Sequence, residues 1–228
     1  MAITLGNHFV QESASSVNSY TTTSNLNGSG ATLLIIIAYW LSAKTGNPTV
    51  TDSSNNTYQK LTTYGTGGTS GQGAIYYCLN PTVTASMTAK ITGNGTDADF
   101  WMLNMIAFNG VGSYQAAAIT GFEVDGSSQN NQVGSLTPNV TGALFITGVN
   151  GYENNGGTFT ITLSFSTIDT LAGGSMNYQS AYLIGTDTTS KNPTWTTGND
   201  YYSASTMAIF LPGSPITGLL IYLKRGEV

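Results

Sequence analysis

A chain of 228 residues with 40% apolar and 11% aromatic residues is long enough to bury a core and too apolar for disorder. Only 7% of its residues are charged, against roughly 25% in an ordinary soluble domain, and 28 glycines would each weaken a helix interior by about 1 kcal/mol, which excludes amphipathic helices. Six Lys and Arg face eleven Asp and Glu for a net charge of −5, and only Lys224 and Arg225 are adjacent, so no cationic groove exists for nucleic acid.

Solubility then rests on Ser, Thr, Asn, Gln and Gly, residues that suit pleated surfaces and tight turns. Short apolar blocks between turn residues predict strands at Asn7–Ser13, Ser19–Thr23, Ala31–Ser42, Thr49–Thr51, Thr57–Tyr64, Gly73–Leu79, Ser86–Thr92 and Phe100–Gly110. A second series is predicted at Tyr114–Thr120, Gly134–Leu136, Ala143–Asn150, Phe159–Thr167, Met176–Ile184 and Ser203–Leu211. The fold class is therefore all-β, an antiparallel two-sheet β-sandwich of jelly-roll-like kind.

Two stretches share an order of features. An apolar strand, a strand ending Ile75-Tyr76-Tyr77, a loop with Pro81 and a closing strand Trp101–Phe108 are followed by Ala143–Val149, a strand ending Tyr182-Leu183-Ile184, a loop with Pro193 and Met207–Leu211. Each closing strand runs into a turn, Asn109-Gly110 and Pro212-Gly213, as two interlocking halves of one sandwich would. Residues 1–213 are read as one domain, and residues 214–228 as a tail whose apolar segment Ile216–Leu223 either completes a sheet or adds to a neighbouring subunit's edge. Met1–Gln11 lacks the basic and apolar regions of a signal peptide, and the run Leu33–Leu41 is too short to span a bilayer, so no membrane partner is expected.

The residues that could carry chemistry are few. His8 is the only histidine and lies near no nucleophile elbow, so it reads as an ordinary strand residue. One His and one Cys cannot fill a zinc shell, and Cys78, among Tyr76, Tyr77 and Leu79, reads as a buried thiol. Asp97 with Asp99, and Glu123 with Asp125, would face the same way on a strand and are the paired carboxylates a glycosidase or, for the first pair, a calcium site could use, but no EF-hand-like spacing is present and Gly-rich surroundings favour turn formation. No catalytic residue, metal or cofactor is assigned. Tyr152, Trp195, Tyr201 and Tyr202 punctuate polar loops, where aromatic faces beside Asn and Asp could stack a host-surface glycan, cap the sandwich or fill a subunit interface.

Three segments carry a family likeness. Val50-Thr-Asp52-Ser-Ser-Asn-Asn56-Thr-Tyr58, Ala74-Ile-Tyr76-Tyr77-Cys-Leu-Asn80 and Ile106-Ala-Phe108-Asn-Gly110 resemble a β-sandwich domain of phage virion proteins and large bacterial surface proteins, whose pattern reads V-T-D-x-x-G-N-T-W/Y. Asn55 stands where that pattern has Gly, and Asn109 where it has Ser before the Gly. The resemblance covers about residues 7–213 and implies a non-enzymatic virion subunit: a capsid decoration or cement protein, or a head or tail fibre component. Its partners would be a major capsid protein or other virion proteins and further copies of itself, as in a trimer about a capsid axis. A carbohydrate-binding or receptor-binding module built on Tyr152, Trp195, Tyr201 and Tyr202 is the alternative.

Overall fold

The structure, a computed structural model, describes residues 1–41, 47–64, 71–94, 99–120, 129–152, 159–172, 176–197 and 203–214. Among them run sixteen strands, all paired antiparallel, and no helix long and apolar enough to cross a membrane. The first eight are β1 (Thr4–Glu12), β2 (Ser19–Thr21), β3 (Leu33–Trp40), β4 (Thr49–Asp52), β5 (Gln59–Lys60), β6 (Gln72–Leu79), β7 (Ala89–Thr92) and β8 (Trp101–Asn109). The second eight are β9 (Val111–Thr120), β10 (Gln129–Gln132), β11 (Leu144–Tyr152), β12 (Phe159–Ile161), β13 (Ser166–Leu171), β14 (Met176–Ile184), β15 (Thr194–Thr197) and β16 (Ser203–Pro212). The antiparallel sandwich expected from composition is what the chain forms.

Each half of the chain makes its own pair of sheets. In the first, a five-stranded sheet β1-β8-β3-β6-β5 lies over a three-stranded sheet β2-β7-β4. In the second, β13-β14-β11-β16-β9 lies over β10-β15-β12, the same order eight strands later. Side-chain alternation then sorts the core into three layers. Leu33, Ile35, Ile37 and Tyr39 of β3 point to a central core shared with Leu144, Ile146 and Phe210 of the other half. Leu34, Ile36, Ala38 and Trp40 point the other way, onto Val50 and Ile91 of the three-stranded sheet. Phe145, Val149 and Ile209 likewise pack onto Phe159 and Trp195. The two five-stranded sheets are thus covered on both faces, which is why β3 carries an uninterrupted apolar run and the run Trp101–Phe108 of β8 is broken only by Asn104.

The halves meet about an internal pseudo-two-fold axis. Leu33 pairs with Leu79 and Phe108, and Leu144 with Ile184 and Phe210, so these triplets are equivalent. By the same registers Tyr77 corresponds to Tyr182, since they face Ile35 and Ile146. Across the central core Tyr77 meets Phe210 edge-on at 5.3 Å, and Tyr182 meets Phe108 edge-on at 5.9 Å, the reciprocal pair of contacts that two-fold packing produces. The closing turns also touch, with Gly213 N donating to Gly110 O at 2.8 Å. Gly110 has φ of 77°, and a Cβ there would stand 2.2 Å from Ala2 O, so no other residue fits.

Four elements depart from the expected series, the first being Thr57–Tyr64, which is reduced to β5 and a bridge from Tyr64 to Gly73. The stretch read as one strand from Phe159 to Thr167 is two, in different sheets, because Leu163 and Ser164 both have positive φ (62° and 57°) and turn the chain. The strand expected at Gly134–Leu136 is reduced to a single bridge, Leu136 with Lys191, and the paired element lies earlier at β10. β15, not expected, forms the centre of its three-stranded sheet. That placement corrects Trp195: it is a fully buried core residue, edge-on to Phe159 at 6.5 Å, its indole N–H donating to Thr147 Oγ1 at 3.1 Å, and it offers no face to a glycan. The tail 215–228 lies outside the described residues.

Candidate functional site

The segment Asp52–Tyr58, which carries the family-like pattern, is organised around one carboxylate. Asp52, at the end of β4, is 5% exposed. Its Oδ1 accepts the backbone N–H of Ser54 at 2.9 Å and of Asn56 at 3.1 Å, and its Oδ2 accepts the Asn56 amide at 2.8 Å and the Tyr58 hydroxyl at 2.7 Å. Asn56 extends the lock to the loop before β7, giving its Nδ2 to Thr82 O and taking Thr82 N–H on Oδ1, both at 2.8 Å. Asn55 adopts φ of 58°, the left-handed geometry that explains a Gly at this place in the pattern and the tolerance of Asn. Burial, and then the charge and hydrogen bond of Asp52, push the Tyr58 phenol far above its ordinary range. The pattern is the signature of a stapled turn.

A second polar cluster joins the halves inside the central core. Asn104 of β8 is fully buried and uses its whole amide. Nδ2 donates to Phe9 O at 2.7 Å and to Asp169 Oδ2 at 2.6 Å, while Oδ1 accepts Tyr178 OH at 3.0 Å and Ser180 Oγ at 2.7 Å. Asp169, on β13, also contacts His8 Nδ1 of β1 at 3.0 Å through each oxygen. His8 is thus more than an ordinary strand residue; it closes a bridge between the edge strands of the two five-stranded sheets. No hydroxyl or thiol among the described residues bonds its imidazole, and Ser180 is committed to Asn104, so the geometry is that of a structural pin.

The other candidates are dispersed. Asp99 is 3% exposed and accepts the backbone N–H groups of Leu41 and Phe100, holding the start of β8. Cys78 is half-buried instead of buried, and desolvation, then the charge of Asp52, raises its thiol pKa. Tyr152 ends β11, its backbone opposite Met176; nothing is described of its side chain. Asp97, Glu123, Asp125, Tyr201 and Tyr202 lie outside the described residues. Among the described residues no three His, Cys, Asp or Glu side chains gather as metal ligands. Sequence reasoning missed Asn104 and Asp169, although an Asn inside the apolar run Trp101–Phe108 is a visible sign that something polar meets it. The chain matches no known family, no curated protein and no solved structure.

Proposed function

We propose that this chain is a structural subunit of a phage virion, a capsid decoration or cement protein or a head or tail fibre component, acting through protein–protein contacts. One observation carries the reading. The pairings β1 with β8, β2 with β7 and β3 with β6, repeated as β9 with β16, β10 with β15 and β11 with β14, are those of a long hairpin wound into a roll. They support taking each half as a jelly roll, a form that recurs in viral capsid and lectin domains, and the support is at the level of fold.

Such a subunit works by shape. Its outer sheets present Ser19, Thr21, Thr49, Thr51, Asn130 and Thr160, with Lys90 between Thr21 and Thr51, a face rich in hydroxyls and amides on which salt screens little. The partners on this reading are the major capsid protein or other virion proteins and further copies of the chain. The glycan-binding alternative built on Trp195 is weakened by the burial of that ring. Immunogold imaging of phage particles that encode this chain tests the proposal: label on head or tail is expected, and particles that purify without the chain would refute it.

A further inference from the structure

Beside the stapled turn lies a cavity of about 400 Å³, within the range of small-ligand sites. It opens between two sheet edges, since β4 ends the three-stranded sheet and β5 ends the five-stranded one. Its walls carry the exposed Asn47, Thr49, Asn55 and Thr57 and the half-buried Tyr58, with Pro48, Val50 and Tyr76 as apolar backing. Lys60 completes it. The ammonium sits over the rings of Trp40 at 5.4 Å and Tyr76 at 5.8 Å, and donates to Asn47 Oδ1. No carboxylate among the described residues pairs with it, and the nearby Asp52 already has four donors on its two oxygens.

A half-buried cation held by aromatic faces, with no carboxylate partner among the described residues, at the side of an open cavity lined with amides and hydroxyls suits a ligand that carries both negative charge and hydroxyls. A lone phosphate would use the charge and the few donors nearest to it, and would fill only part of an opening of this size. A ring bearing several hydroxyls and a carboxylate would use the charge and the amide walls together, with its apolar face against Tyr58 or Val50. We infer that the cavity binds a carboxylate-bearing sugar residue, with Lys60 as counter-charge and Asn47, Asn55 and Thr57 bonding the hydroxyls. Burial lowers the Lys60 pKa, as expected of a cation kept partly dry for such a partner. The inference stands on the cavity alone and is independent of any place in a virion.

Calorimetric titration of the purified chain with a galacturonate trimer, N-acetylneuraminate, a neutral galactose trimer and inorganic phosphate tests it. At least one acidic sugar is expected to bind with a dissociation constant of about 1 mM or tighter, and the neutral trimer about tenfold more weakly or worse. Lys60→Met, which keeps the stem over the rings, should weaken binding about tenfold. Asn55→Gly, which suits the positive φ, should weaken it about threefold with an unchanged melting temperature. Silence of both acidic sugars, equal binding of the neutral trimer, phosphate binding as tight as the sugars, or an unaffected Lys60→Met would each overturn the assignment.

Discussion

Replacing Asn104 with Ala is the sharpest test of how the halves are held together. The substitution strips one acceptor from Tyr178 OH and Ser180 Oγ and one donor from Phe9 O and Asp169, all supplied by a residue with no exposed surface. Asp169 keeps His8, so its loss is partial. The two hydroxyls are fully buried, and each unpaired group costs about 1–3 kcal/mol, which places the total at about 4 kcal/mol. At about 2–4 °C per kcal/mol for a chain of this size, the melting temperature should fall by roughly 8–16 °C in a calorimetric scan. The triple variant Asn104→Leu, Tyr178→Phe, Ser180→Ala removes donors and acceptor together and should recover most of the loss, because matched apolar replacement is nearly neutral. A loss below about 1 kcal/mol for the single variant, or no recovery in the triple, would show that the network is not what pins the sheets.

Other consequences are as direct. Asp52→Ala frees four donors in a nearly buried turn and should cost about 2–4 kcal/mol by urea denaturation; a neutral result would contradict the stapled-turn account. Leu163, 48% exposed at φ of 62°, is strained for a branched side chain, and Leu163→Asn should raise stability by about 1 kcal/mol, read as a rise of about 2–4 °C in melting temperature. Burial, with Glu12 adding, pushes the Tyr20 phenol up to about 12, and burial raises Tyr58, Tyr64 and Tyr76 further. Because these folded-state values lie above the unfolded value of about 10, their contribution is intact below that pH and is lost as pH rises beyond it. Dichroism should therefore hold to about pH 10 and collapse above; a signal unchanged through pH 12 would contradict the burial of these phenols.

Much of this architecture could be read in the sequence, for identifiable reasons. β3, β6, β8, β11, β14 and β16 are apolar blocks bounded by turn residues, and they are the strands that fill the two large sheets. The three-stranded sheets were harder to see, since each strand is short and only one face is covered. β15 hides between Pro193 and the polar residues after Thr197, so Trp195 read as a loop aromatic when it is the plug of a core. The internal likeness, pursued strand by strand, would have demanded an element between β14 and β16 where β7 stands between β6 and β8. The break at Leu163 was hard to see because its positive φ falls on a branched apolar residue, beside a Ser that alone is a weak turn signal in so Ser- and Thr-rich a chain. The candidate site divides the same way. Asp52, Asn56 and Tyr58 could be found as a pattern, whereas Lys60 becomes notable only once folding brings Trp40, Tyr76 and Asn47 around it.

What the repeat gains from being one chain is visible where the pseudo-axis crosses the core. Two identical halves would have to place the same side chain opposite itself there. Here the equivalent positions are Ile37 and Gly148, set by their matching distances from Leu33 and Leu144, and a Cβ on Gly148 would come within 3.3 Å of Ile37 Cγ2. The isoleucine fills the space the glycine leaves, a division of labour no symmetric dimer can make. The same asymmetry admits the polar pin, since Asn104 corresponds to Thr206 across the axis, and the Thr206 hydroxyl turns to Ala118 O instead. Fusing the halves therefore lets the most buried layer of the molecule combine close apolar packing with one fully bonded amide.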